Sequence, residues 1–255
     1  MRIEKEHKIN SLLRGWPQNA VYLTSWLVAN GYSDQLLSRY KKSNWITPLN
    51  NGAFVKSGDT PTIEGAVFAL QSQGKLCVHP GGKSALNLLG KVHYLEFSRQ
   101  QFTLFGNENE RIPSWLKNYN WSMEINYYST SFLPVDLGLT DIEVNGFSIK
   151  ISGAARAIME CLYLTPKKQD LKECFELMEG LNNLRPNQVQ QLLEACRSVK
   201  VKRLFLYLAN KCRHPWLEFI KVENIDLGKG KRQIVVDGVY DPEYKITIPK
   251  NLVDE

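Results

Sequence analysis

Side chains between residues 35 and 42 have the chemistry and the spacing of a helix that reads DNA. Gln35, Ser38, Arg39 and Lys42 follow one another at intervals of three, four and seven residues from Gln35. They therefore share one face of an α-helix. All four can donate hydrogen bonds to base edges or phosphates, as a recognition helix does in the major groove. Lys41 joins them as a further DNA-binding candidate.

A pair of helices must position these side chains. The sequence predicts a short helix from about Thr24 that ends at Asn30-Gly31, because glycine tolerates the left-handed conformation of a helix end. Ser33 then offers a hydroxyl to cap a second helix running from Asp34 to Ser43. The apolar face of that second helix is formed by Leu36, Leu37 and Tyr40.

A β-hairpin is predicted directly after the second helix. Two short β-type runs, 45–47 and 53–55, are joined by the turn-rich segment 48–52. This pattern indicates a wing, with Asn51 in its turn and Lys56 where a wing commonly meets backbone phosphate. Residues 1–60 carry eight Lys and Arg against four acids, which favours a polyanionic partner. A helical hairpin with a solvated charged face is the alternative that this local pattern leaves open.

The composition is that of a packed globular protein with a mild positive charge. The 255 residues are 43% hydrophobic, with a net charge of +6. No apolar run approaches the roughly 18 residues of a membrane span, and the charged start, MRIEKEHKIN, is unlike a signal peptide. The five cysteines are scattered without a CxxC pair and indicate reduced thiols. We therefore expect a cytoplasmic protein without a membrane partner.

The rest of the chain predicts a mixture of strands and helices. Strands are expected at 124–129 and 143–151, with helices between 153 and 211. A C-terminal hairpin is expected to pair 233–236 with 244–248. The predicted fold class is therefore α+β: a winged helix-turn-helix domain at 1–60, then a mixed α/β domain at 61–255. A subdivision of the second domain near 100–150 stays open.

A second basic region lies near the C-terminus. Between Arg185 and Arg232 there are eleven Lys and Arg against four acids. One hypothesis is a second polyanion contact, to DNA phosphates, RNA or an acidic protein; the alternative is a solvated helix face plus a surface turn. The candidate residues of this basic C-terminal patch are Lys200, Lys202, Arg203, Lys229, Lys231 and Arg232.

The sequence contains no complete catalytic motif. The run 80–84, PGGKS, is similar to a phosphate-binding loop, but Cys77 stands where that motif needs its first glycine. Asp141, Glu143 and Lys150 are similar to a nuclease site, but Ser148 replaces the acid expected two residues before the lysine. The four histidines lack zinc-ligand spacing. We predict no catalytic residue, no metal site and no cofactor.

Several longer runs resemble the AbiEi family of antitoxins from abortive-infection, or type IV, toxin–antitoxin operons. They extend along nearly the whole chain and include LLSRYKKSNWITPLNNGAF, EGAVFALQSQ, VHPGGKSALNLLGKVHYL, IPSWL, ISGAARAIMECL, GLNNLRPNQVQQLLEACRSVKVKRLFLYLANKCRHPW and IDLGKGKRQIVVDGVYDPEYKITIP.

The resemblance implies two activities. The N-terminal domain would repress its own promoter by binding inverted repeats in double-stranded DNA. The C-terminal domain would counteract a nucleotidyltransferase toxin that modifies RNA, without forming a stable complex with it. Two other functions stay open at this point: a nucleic-acid-processing enzyme targeted by the winged domain, and a plain repressor with a ligand-sensing C-terminal domain.

Overall fold

The computed structural model describes residues 2–91 and 101–252, with side chains from residue 8 onward. Its α-helices are α1 (Arg2–Arg14), α2 (Thr24–Ala29), α3 (Asp34–Lys42), α4 (Ile63–Phe68), α5 (Gly82–Leu88), α6 (Ser114–Asn118), α7 (Ala154–Leu164), α8 (Leu171–Glu179), α9 (Pro186–Ala195) and α10 (Val199–Lys211). Its strands are β1 (Val21–Leu23), β2 (Ile46–Leu49), β3 (Ala53–Lys56), β4 (His79–Pro80), β5 (Gln101–Gly106), β6 (Glu124–Ser129), β7 (Leu139–Val144), β8 (Phe147–Ser152), β9 (Arg232–Gln233), β10 (Val239–Asp241) and β11 (Ile246–Ile248).

These elements form two compact units that alternate along the chain. Unit 1 consists of Met1–His79, Arg99–Ser129 and Asp141–Lys150. Unit 2 consists of Pro80–Ser98, Thr130–Thr140 and Ile151–Glu255. These units divide the chain at positions other than residue 60. The domain boundary expected after residue 60 stays a prediction.

The helix, turn, helix and hairpin predicted for residues 24–56 are present in unit 1. α2 ends at Ala29 with Asn30 as its C-cap, and Gly31 follows with a φ of +86°, the left-handed conformation expected of a glycine at a helix end. Ser33 is the N-cap of α3, and its hydroxyl accepts the Leu36 N–H at 3.4 Å. The sequence predicted both features because each depends on a few adjacent residues.

A three-stranded sheet supports the helix pair. Its order is β1-β3-β2, with both pairs antiparallel. The Gly52 carbonyl accepts the Thr24 N–H at 2.9 Å, which fixes the hairpin turn to the start of α2. Leu27, Leu37 and Val55 are buried between helices and sheet and supply the apolar contacts that a short helix pair needs to be stable.

Elsewhere in unit 1, one predicted strand is wrong. The strand expected at 143–151 is a hairpin, β7–β8, that turns at Asn145 and Gly146 with φ of +48° and +82°. Asn-Gly is the dipeptide that best adopts such a turn. β5 and the predicted strand β6 pair in parallel, from Gln101 opposite Glu124 to Gly106 opposite Ser129.

Unit 2 is built around helices whose buried polar groups are paired. The fully buried carboxylate of Glu160, on α7, accepts bonds from Arg156 Nε at 2.9 Å, from Ser152 Oγ at 2.7 Å and from the Gly82 N–H at 2.9 Å. Arg156 also donates to the carbonyls of residues 134, 135 and 137. These bonds offset the cost of removing both charges from water.

The C-terminal strands of unit 2 differ from the expected hairpin. β11 pairs antiparallel with β10 and parallel with β9, so the hairpin partner of 246–248 is 239–241, and Gln233 lies beside Thr247 in a parallel pair. The chain turns at Asp237, with a φ of +56°. At Gly238 a Cβ atom would lie 2.2 Å from the Ile248 carbonyl oxygen. The Asp-Gly turn therefore ends the first run early, and Val236 is 79% exposed.

Candidate nucleic-acid interface

The side chains of α3 divide into a buried set and an exposed set. Leu37 and Tyr40 are 2% and 6% exposed and hold the helix against unit 1. The polar side chains predicted to bind DNA all lie on the solvent side: Gln35, Ser38, Arg39, Lys41 and Lys42. Within the described residues none of these five forms a side-chain hydrogen bond or ion pair. Their donors are therefore available to an external acceptor.

The hairpin places its two predicted contacts differently. Asn51 is exposed in the turn between β2 and β3. Lys56 is half-buried, and its ammonium lies 3.9 Å from the Asp59 carboxylate. That carboxylate also accepts the Asn19 N–H at 3.0 Å. A phosphate at the hairpin would thus compete with Asp59 for Lys56, and such a partly exposed ion pair contributes little stability.

An exposed tryptophan beside α3 was missed by the sequence reasoning. Trp45 is 47% exposed, although its backbone is fixed: its N–H donates to the Tyr40 carbonyl, and its carbonyl accepts the Ser57 N–H. Next to it, Ser57 Oγ lies within 3.0 Å of Thr47 Oγ1 and donates to Asn44 Oδ1 at 3.4 Å. The β-type run 45–47 predicted that Trp45 is a strand residue. Its role in a contact surface is indicated only by the exposure of its ring in the structure.

The predicted basic C-terminal patch is not one surface. Lys202 and Arg203 are 4% and 1% exposed, so these two cannot contact a polyanion in this conformation. α10 is apolar on most sides and is buried along almost its whole length. Any residue in its middle turns is consequently taken into the core, whatever its charge.

Arg203 is bound by backbone carbonyls instead of solvent. Its guanidinium donates to Leu227, Gly228, Gly230 and Lys245, at 2.7, 2.9, 2.6 and 3.1 Å. Lys200 is half-buried, and its ammonium donates to the carbonyls of residues 163 and 165. The exposed members of the predicted patch are Lys229, Lys231 and Arg232, all on or next to the loop that Arg203 holds.

The lysines of the two incomplete enzyme motifs form ion pairs with acidic side chains. Lys83, in the PGGKS run, pairs with Glu173, and Lys150 pairs with Asp141 at 3.4 Å across the β7–β8 hairpin. In the two described ranges no group of three or more His, Cys, Asp or Glu side chains could hold a metal ion. None of the helices described there is long and apolar enough to cross a membrane.

An exposed polar helix face beside a β-hairpin is the arrangement found in transcriptional regulators of the winged helix-turn-helix class. The chain belongs to the AbiEi antitoxin family. Residues 99–249 match the family model described as "Transcriptional regulator, AbiEi antitoxin, Type IV TA system", and residues 5–97 match that of the "AbiEi antitoxin N-terminal domain". The protein is therefore a transcriptional regulator and antitoxin of the type IV toxin–antitoxin class.

A solved structure shares the fold. The crystal structure of the RV2827C protein from Mycobacterium tuberculosis superposes with a TM-score of 0.62 at 12% sequence identity, over 97% of this chain and 93% of that chain. No curated protein matches this chain.

Proposed function

We propose that this antitoxin represses its own promoter by placing α3 in the major groove of double-stranded operator DNA. The supporting observation is the division of α3 described above, with its polar and cationic side chains exposed and its apolar side chains buried. Gln35 and Ser38 would face base edges, because the N-terminal residues of a recognition helix contact them. Arg39 follows on the same face, and its long side chain would reach a base from there. Lys41 and Lys42, at the other end, would contact phosphates.

The hairpin would contact the flanking backbone. Asn51 offers an amide from the exposed turn, and Lys56 can exchange Asp59 for a phosphate. Trp45, at the junction of α3 and β2, would pack its ring against sugar or a thymine methyl group. We propose that the operator is an inverted repeat, so that two copies of the chain each bind one half-site.

The second part of the proposal is neutralisation of a toxin. We propose that the chain counteracts a nucleotidyltransferase from the same operon, acting in the cytoplasm, without a cofactor of its own and without a stable complex. This follows from the family, whose members are antitoxins, together with the incomplete enzyme motifs in this chain. Co-expression with the adjacent gene tests it: growth should be restored, while purified protein should not cleave DNA or RNA when Mg²⁺ is added.

Binding to the upstream region of its own gene tests the DNA interface. Arg39→Ala should weaken binding in a gel-shift titration by about 1–3 kcal/mol, or roughly 5- to 150-fold, if Arg39 reads a base. Lys167→Ala removes the same charge from an exposed position in unit 2 and should bind as the natural protein does. Trp45→Ala should weaken binding without changing its salt dependence, because the indole carries no charge.

Two results would contradict this docking. Arg39→Ala could bind within twofold of the natural protein at the same salt concentration. Alternatively, Arg39→Ala and Lys167→Ala could weaken binding equally, which would mean that only net charge matters.

A further inference from the structure

A cleft in unit 2 gathers positive charge that no acid neutralises. It has a volume of about 400 Å³ and is lined by the start of α10 and by β9, through residues 197–200 and 232–234. Three of the lining side chains are cations, Arg197, Lys200 and Arg232, and none is acidic. Within the described residues none of the three forms an ion pair. Arg197 was not among the residues singled out from the sequence.

Hydrogen bonds fix the backbones of Arg197 and Arg232 and the ammonium of Lys200. The Arg197 N–H donates to the Phe132 carbonyl at 2.8 Å and the Arg232 N–H to the Lys245 carbonyl at 2.9 Å, while both guanidinium groups remain exposed. The Lys200 ammonium donates to the Tyr163 carbonyl at 2.7 Å and the Thr165 carbonyl at 2.6 Å. An ammonium has three donors, so one is left for a ligand.

Arg203 positions the opposite wall of this cleft. Its four carbonyl bonds fix the loop that leads into β9, and at Gly228 a Cβ atom would lie 3.3 Å from the Val199 side chain. The loop therefore packs directly on the first turn of α10. Burial, and secondarily Arg232, lower the pKa of the Arg203 guanidinium, and burial lowers the pKa of Lys200. An anion in the cleft would offset both effects.

We propose that this cleft binds a phosphorylated ligand of about the size of a nucleotide. Two exposed guanidinium groups are suited to bidentate contacts with phosphate oxygens, and the remaining Lys200 donor adds a point charge. The volume falls within the roughly 300–1,000 Å³ of small-molecule sites. Val199 and Ile234 give the cleft an apolar part beside the three cations. The ligand is either a free nucleotide or the terminal phosphate of an RNA strand, since both present the same group.

Calorimetric titration of the full chain tests the proposal with two probes. ATP represents the free nucleotide, and a short single-stranded RNA is used with and without a 5′-phosphate. We expect saturable binding of ATP, of the 5′-phosphorylated RNA, or of both. Arg197→Met combined with Arg232→Met should weaken that binding by about tenfold or more, because two charge-assisted contacts are lost. The probe that binds more tightly identifies the source of the phosphate.

The matched control is Lys229→Met combined with Lys231→Met. It removes the same amount of charge from the neighbouring loop, from side chains that do not line the cleft, and its affinity should stay within about twofold of the natural protein. Arg197→Met alone provides a further comparison if the double variant does not fold, because its exposed guanidinium has no partner within the described residues.

Three outcomes would overturn the proposal. Neither probe binds at millimolar concentration, or both double variants lose affinity equally, which would indicate general attraction to a basic loop. In the third, RNA binds equally well with and without its 5′-phosphate and ATP does not bind, so the cleft does not recognise a phosphate terminus.

Discussion

Replacing Arg203 by methionine tests whether one buried guanidinium orders the basic loop of unit 2. Methionine preserves most of the apolar stem but leaves the carbonyls of residues 227, 228 and 230 without their donor, while the Lys245 carbonyl still accepts the Arg232 N–H. A buried carbonyl without a partner costs about 1–3 kcal/mol. Gly228 and Gly230 are exposed, so their carbonyls can turn to water and the low end of that range applies. Three groups at about 1 kcal/mol each predict a loss of about 3 kcal/mol.

Urea unfolding measures this loss, and limited trypsin digestion reports the loop itself. We expect Arg203→Met to lower the free energy of unfolding by that amount and to accelerate cleavage after Lys229 and Lys231. Lys229→Met is the control, because its exposed side chain should change stability by no more than about 0.5 kcal/mol. A loss below 1 kcal/mol in Arg203→Met, with unchanged cleavage in the loop, would refute the role given to the guanidinium.

Two further predictions concern buried groups. Within the described residues the buried hydroxyl of Tyr40 has no hydrogen-bond partner, so Tyr40→Phe should stabilise the protein by up to about 1 kcal/mol in urea unfolding. Tyr22→Phe, which removes a bond to the Gly15 carbonyl, should destabilise it, and the reverse order would contradict the reasoning. Burial raises the pKa of the Cys196 thiol from 9.0 to about 11. The unfolded chain therefore loses this proton first, and stability should fall between pH 9 and 11 by up to about 1.4 kcal/mol per pH unit. Cys196→Ala should lack that part of the decline.

The exposed face of α3 was predictable because its cause is local. A helix of nine residues between a Ser cap and a turn has a fixed period, and Leu37 and Tyr40 identify the side that must be buried. The polar side chains must then lie on the opposite side of the helix, which faces solvent. The same reasoning does not establish what binds there, since the spacing specifies exposure and not the partner.

The prediction that Lys202 and Arg203 belong to an exposed basic patch is wrong for a physical reason. Counting charges treats every lysine and arginine as solvated, but α10 is buried around most of its circumference, so its middle turns have no solvent side. Lys202 and Arg203 are kept in the core, and Arg203 is stabilised by carbonyls that come from residues 227–245. Contacts between positions so far apart in sequence cannot be read from the periodicity of one helix.

Two strand predictions are wrong for a different reason, because each overlooked a turn. Asn145-Gly146 and Asp237-Gly238 are strong local hairpin signals. The apolar alternation nevertheless predicted one continuous strand through the first, at 143–151. Around the second, it predicted that 233–236 pairs with 244–248 in a hairpin. The residue types alone were sufficient to predict the β7–β8 hairpin. The parallel pairing of β9 with β11 needed the tertiary structure, because its two strands are held by the loop on Arg203.

The alternation of the two compact units along the chain has a genetic consequence. The backbone passes from one unit to the other five times between Met1 and Glu255. A single stop codon or fusion point therefore leaves at least one unit without segments that complete it. Unit 1 could not be transferred to another protein as one contiguous segment, and a stop codon before residue 150 would leave both units incomplete. Testing the two units separately therefore requires substitutions at exposed side chains such as Arg39 in unit 1 and Arg197 in unit 2, which leave the polypeptide whole.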